Sequence, residues 1–251
     1  MEVTGLALVA LAGVAGGAMN ALAGGGTFAT LPALLAVGAP ANIANATSNV
    51  ALLPGAATSA WAFRDELGPV GGVDHRLLAG ITFAGGLVGS ALLVVTPGAT
   101  FDVIVPWLVL YAFVVLAFGR GASAWLAARV TIGARTLVVA QVLLGIYGGY
   151  FGGGVGLMTT ATYGLLASVT PRAMFAPRTL MLAVANAAAA LVFVASGMVD
   201  WRYCVPMLVG AVVGGWGGAI VGRRLPERVV RIGTLAVTGV TAAVFFWRAY
   251  G

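Results

Sequence analysis

The sequence contains no lysine, one histidine (His75), one cysteine (Cys204) and only seven acidic residues. A lone cysteine excludes an internal disulfide and supplies no metal-ligand spacing, so Cys204 reads as a small apolar packing residue and no metal or cofactor is expected. His75 lies between Asp74 and Arg76, where a solvated loop residue fits better than a proton relay. The acids Glu2, Asp65, Glu66, Asp74, Asp102, Asp200 and Glu227 all fall in or near loops. No acid–base pair or metal cluster therefore sits within the apolar stretches, which counts against an intramembrane enzyme. No polar segment is large enough for a separate soluble domain. The opening Met1-Glu2-Val3 lacks the basic region of a signal peptide, so the first apolar stretch is expected to remain as a structural span.

What the sequence has in excess is apolar side chain. It is 61% hydrophobic and 8% charged over 251 residues, with a mean hydropathy of +1.04, far above ordinary soluble composition. That is a membrane protein, expected in the cell (cytoplasmic) membrane with the bilayer as its solvent. Breaking the chain at Gly, Pro and charge gives ten apolar segments: Val3–Leu22, Thr27–Val37, Asn42–Phe63, Leu77–Thr96, Val103–Phe118, Thr136–Tyr150, Leu157–Val169, Ala173–Ser196, Tyr203–Val221 and Val229–Trp247. The net charge of +6 does not indicate nucleic acid, because the 13 basic residues are arginines scattered between segments. All but Arg202 and Arg248 follow odd-numbered segments, and the positive-inside rule then places both termini outside. An eight-pass alternative treats segments two and seven as surface loops, but it puts the Arg120–Arg135 and Arg223–Arg231 groups on opposite sides. Parity leaves open whether segments one and two, and six and seven, cross fully or form re-entrant hairpins.

The halves echo each other at a period near 129 residues. Gly24-Gly25-Gly26 recurs as Gly152-Gly153-Gly154, Asp74-His75-Arg76 faintly as Asp200-Trp201-Arg202, and Thr96-Pro97 as Leu225-Pro226. Five segments per half is an odd number, so the second copy is expected upside down relative to the first, as in many secondary transporters. The expected architecture is an all-α polytopic integral membrane protein in two inverted five-segment repeats. Residues 1–119 form the first repeat, 120–134 a cytoplasmic linker and 135–251 the second, with short or broken helices at the centre.

The glycine triplets mark those breaks. Backbone that leaves the helix inside hydrocarbon costs several kcal/mol per unsatisfied group unless protein or a watery cavity shelters it. The segment after Gly24-Gly25-Gly26 spans only about 16 Å as a helix, roughly half the hydrocarbon thickness. Its amino end offers amides and a positive dipole end to an anion. Pro32, tolerated in a first turn but not deeper, moves the expected start of regular helix toward Leu31 and leaves Gly24 to Thr30 extended. In "NATSNVALLP", Pro54 frees the carbonyl of Val50 beside Thr47, Ser48 and Asn49, and in "FAPRTL" Pro177 stands beside Arg178 and Thr179. Interruptions at matching places in two halves point to a midplane transport site. The Gly210, Gly214, Gly218, Gly222 ladder reads instead as a packing surface, which leaves a homodimer or partner contact open.

Gly24-Gly25-Gly26-Thr27-Phe28, Leu31-Pro32-Ala33-Leu34-Leu35, Gly38 and Ala46-Thr47-Ser48 resemble the signature of the TauE/SafE family of sulfite exporters and related anion permeases. The likeness covers essentially the whole chain. The second half departs from it: Met158-Thr159-Thr160-Ala161 lacks the proline, and Ala176-Pro177-Arg178-Thr179 replaces Ala-Thr-Ser. The resemblance implies export of sulfite, an organosulfonate or a similar small sulfur-containing anion.

The candidate substrate-binding residues are Gly24, Gly25, Gly26, Thr27, Thr47, Ser48, Asn49, Gly152, Gly153, Gly154, Thr159, Arg178, Thr179 and Asn186. Backbone amides, hydroxyls, side-chain amides and one guanidinium suit an oxyanion without a metal. The expected partners are that small anion and the lipid bilayer. The competing classes are a passive anion channel, a non-transporting membrane subunit and an intramembrane enzyme. Energy coupling stays open between substrate protonation, downhill flow and sodium.

Overall fold

A computed structural model of the chain describes residues 2–127, 133–167, 174–222 and 225–251. Among these it forms ten α-helices: α1 (Glu2–Leu22), α2 (Thr27–Ala36), α3 (Ala41–Ala62), α4 (His75–Val95), α5 (Gly98–Ala127), α6 (Ala134–Tyr150), α7 (Val155–Ala167), α8 (Phe175–Ala195), α9 (Trp201–Gly222) and α10 (Glu227–Tyr250). Each predicted segment falls on one helix. Among the described residues the only β pairing is a bridge between Val70 and Val73 in the loop before α4. Six helices, α1, α4, α5, α8, α9 and α10, are long and apolar enough to cross a membrane, whereas α2 and α7 are shorter apolar helices. The chain is a multi-pass helical membrane protein.

The largest boundary difference is in α5. It starts at Gly98, where the Phe101 amide bonds to the Pro97 carbonyl at 3.0 Å, and just past its first turn it carries Asp102, whose charge cuts a hydropathy-based segment short. At its other end α5 stays helical to Ala127, past Gly119. Of the predicted linker 120–134, residues 128–132 with Arg129 lie outside the described residues, as do Arg172, Arg223 and Arg224.

Helix directions follow from close contacts. A Cβ placed on Gly13 or Gly17 of α1 would collide with the carbonyls of Met207 or Ala211 in α9, and Gly218 of α9 meets Ala18. Both numberings rise together, so α1 and α9 run parallel. α4 and α6 repeat the arrangement, with Gly85 against Gly145 and Ile146, and Gly86 against Gly149. Small residues let these backbones touch, the ordinary route to tight association where lipid is as apolar as leucine. The Gly210–Gly218 part of the ladder is spent on this contact inside the chain.

α3 and α8 run in opposite directions: Phe63 meets Phe175 edge-on at 4.7 Å, and Asn49 reaches Asn186. α5 and α10 are also antiparallel, with Trp107 Nε1 donating to the Tyr250 hydroxyl at 2.9 Å and Arg231 donating to the Ala117 carbonyl at 2.8 Å. If segments two and seven were surface loops, α3 and α8 would run in the same direction. Burial agrees, because Thr27, Phe28, Thr30, Leu31, Ala33, Leu34 and Leu35 of α2 are all buried. The helix contacts also come in pairs: α1 on α9 beside α6 on α4, α3 on α9 beside α8 on α4, and α1 on α2 beside α6 on α7. Exchanging the first five helices with the second five maps each contact onto its mate.

Candidate functional site

The two glycine breaks meet inside the protein. Gly24, Gly152 and Gly154 have φ of 80°, 73° and 77°, the left-handed region that favours glycine. A Cβ on Gly24 would lie 2.7 Å from the Cα of Gly156, and one on Gly156 would lie 2.8 Å from the Cα of Gly24. Residues 23–28 and 151–158 are buried throughout. Phe28 sits between the breaks, beside Gly25 and Gly154, with its ring 6.4 Å from that of Phe151.

The first break is closed from within its own half. The Gly26 amide donates to Asn20 Oδ1 at 3.0 Å, and the Thr30 hydroxyl, bonded to Ser48, donates to the Gly26 carbonyl at 3.2 Å. Helix α2 begins at Thr27 and continues through Pro32, which corrects the extended Gly24–Thr30 expected from the sequence. Proline cannot donate to the carbonyl four residues back, that of Phe28. The hydroxyl of Thr241 on α10 supplies the bond at 2.9 Å, so the helix tolerates the proline.

The second break is closed partly across the halves. The Phe151 and Gly152 amides both reach the Tyr147 carbonyl, at 2.9 and 3.5 Å, and the Tyr147 hydroxyl donates to the Gly153 carbonyl at 2.7 Å. From α3, Asn45 Nδ2 donates to the Tyr150 carbonyl at 3.1 Å. Asn49 of the same helix lies against Gly152 and donates to Asn186 Oδ1 at 3.5 Å.

The structure thus joins the two triplet regions through Gly24 against Gly156, Gly25 against Leu157 and Phe28 against Gly154, and brings Ser48 to the first break and Asn49 and Asn186 to the second. Thr47, Ser48 and Asn49 do not face one space. Successive helix positions turn by about 100°, so Thr47 instead accepts the Asp200 amide at 3.0 Å. The Thr179 hydroxyl returns to the Ala176 carbonyl at 2.9 Å, a bond within its own helix. Thr159 is fully buried, and its Oγ1 has no partner. Arg178 is 9% exposed, with its guanidinium 4.4 Å over the Phe175 ring and Nη2 without a hydrogen-bond partner. It lies two turns, about 12 Å, along α8 from Asn186.

Sequence reasoning missed Asn20, Thr30, Asn45, Tyr147 and Thr241. Asn20 and Asn45 had a readable signal, since a side-chain amide inside an apolar helix needs a partner. Three buried amide atoms remain unpartnered near the breaks: Asn20 Nδ2, Asn45 Oδ1 and Asn49 Oδ1. A separate cavity of about 250 Å³ lies at the far end of α2, lined by Leu35, Asp102, Phe245 and Arg248 among others.

The family model described as Sulfite exporter TauE/SafE matches residues 9–245. The chain belongs to the TauE/SafE family. This TauE/SafE chain is 27% identical over 240 residues to the "Probable membrane transporter protein YfcA" of Escherichia coli (strain K12), covering 94% of this chain and 87% of that one. It is 27% identical over 214 residues to a "Probable membrane transporter protein" of Haemophilus influenzae, with 83% and 82% covered. It is 31% identical over 230 residues to the "Probable membrane transporter protein ORF9" of Sinorhizobium sp, with 87% and 82% covered. No solved structure matches. The family and these relatives make the chain a membrane transporter of the TauE/SafE type.

Proposed function

We propose that the chain is a secondary transporter that exports sulfite, an organosulfonate or a related small sulfur oxyanion across the cytoplasmic membrane by alternating access. The observation that carries this reading is the meeting of two buried glycine breaks, Gly24 against Gly156, at the contact between the halves. Paired helix contacts that exchange between halves support an inverted repeat of residues 1–119 and 135–251. Rocking one half against the other would separate the breaks and open them to one side at a time. The amide of Asn20 and the polar side chains Thr30, Ser48, Asn49 and Asn186 then replace the water of the anion, since oxyanions are held well by neutral N–H and O–H donors. Arg178, buried without an ion-pair partner among the described residues, supplies the positive charge where α8 begins. The arginine distribution orients both termini outside.

Flux of sulfite into liposomes holding the purified protein alone tests the reading. Saturable flux supports it. Unsaturated conductance favours a channel, and no flux with any sulfur oxyanion favours a partner subunit. Arg178→Gln is expected to raise the half-saturating sulfite concentration about tenfold, the effect of one lost charge-assisted bond; an unchanged value removes Arg178 from the path.

A further inference from the structure

The unpartnered atoms at the second break differ in kind from what an anion needs. Asn45 and Asn49 are one helical turn apart on α3, so their side chains share a face, and both residues are buried. Each turns its NH₂ toward an acceptor, Asn45 to the Tyr150 carbonyl and Asn49 to Asn186 Oδ1. Each is left with a buried oxygen that accepts nothing. Asn45 donates to the Tyr150 carbonyl at the last residue of α6, and Asn49 lies against Gly152 two residues beyond it, so both sit beside the negative end of that helix's dipole.

We infer that Asn45 Oδ1 and Asn49 Oδ1, beside the negative end of the α6 dipole, form a binding site for a small alkali cation, Na⁺ being the probe. Buried carbonyl-type oxygens at a helix carboxyl terminus replace the hydration of a hard monovalent ion. With no carboxylate among the ligands named, the site does not offset the larger dehydration cost of a divalent ion. Asparagine occupies these places only in the first half: with Pro40 set on Pro171, Asn45 and Asn49 correspond to Ala176 and Leu180 of α8. The site is therefore single. Its role as a coupling ion rests on the transport reading above, because a cation beside the breaks would offset the charge of the carried anion.

The test is equilibrium binding of radioactive Na⁺ to the detergent-purified full chain, with choline as the control salt and no sulfur anion present. Saturable binding is expected, weakened more than tenfold in Asn49→Leu and in Asn45→Leu. Asn49→Asp keeps the shape and adds a negative charge, so it is expected to bind Na⁺ at least tenfold more tightly, which a folding defect would not produce. Absence of saturable binding in the unaltered protein overturns the inference, and so does an Asn49→Asp variant no tighter than it. Sulfite flux without Na⁺ binding would sink the cation site and leave the transport reading standing. Na⁺ binding without flux of any sulfur oxyanion would do the reverse.

Discussion

The two glycine breaks begin from the same three-residue motif and are stabilised in different ways. The break between α1 and α2 is closed by its own half, through Asn20 and the Thr30–Ser48 pair, and its following helix borrows Thr241 to absorb Pro32. The break between α6 and α7 has no proline after it. It uses Tyr147 locally and takes Asn45 and Asn49 from the other half. A repeated motif therefore fixes the backbone shape, while the partners that satisfy it are free to diverge. The turn of the first break is satisfied by side chains of its own half, and that of the second registers how the halves sit together.

The sharpest way to break this comparison is at the contact the two share. Gly24 has a left-handed φ and no room for a Cβ against the Gly156 backbone, so Gly24→Leu combines backbone strain with a clash that no rotamer relieves. Its cost is expected to exceed about 4 kcal/mol, the range reserved for severe defects. The expected result is loss of monodisperse protein after detergent extraction. Gly25→Leu is expected to be milder, because Gly25 has an ordinary φ and its nearest neighbours are side-chain atoms of Phe28 at 3.0 Å, not backbone. Equal losses in both variants would show that the Gly24–Gly156 approach has no special standing.

A smaller effect isolates the first break. Thr241→Val removes the donor that serves the buried Phe28 carbonyl, at an expected cost of about 1–3 kcal/mol. Pro32→Ala restores an N–H four residues on, so the same carbonyl gains a donor within its own helix. Thr241→Val is then expected to lower the melting temperature in detergent clearly less in the Pro32→Ala background. Strict additivity of the two changes would remove Thr241 as the remedy for the proline.

Hydropathy made the ten helices legible because lipid demands apolar length, and arginine parity anticipated the opposed directions of α3 and α8. The breaks were legible through Gly24, Gly152 and Gly154, since few residues other than glycine tolerate their φ. What stayed hidden was direction around each helix. Thr47, Ser48 and Asn49 are adjacent in sequence, yet their partners are Asp200, Thr30 and Asn186, and only the tertiary fold chooses among such distant partners. The helical start at Thr27 was hidden for the same reason, because Thr241 lies far along the chain from Pro32.

The smallest expected effect separates the two hydroxyls that occupy matching places in the halves. Ser48 of α3 reaches across to Thr30 beside the first break, whereas Thr179 of α8 bonds only to Ala176 in its own preceding turn. A back-bonded hydroxyl adds little to a carbonyl already inside a helix, and valine keeps the shape of threonine there. Thr179→Val is expected to change the melting temperature by an amount equivalent to about 0.5 kcal/mol or less, and to leave the half-saturating sulfite concentration unaltered. Ser48→Ala strips a partner from buried Thr30 and is expected to cost more, about 1 kcal/mol. A Thr179→Val variant that loses affinity while Ser48→Ala keeps it would invert the assignment and put the hydroxyl of Thr179, not that of Ser48, against the anion.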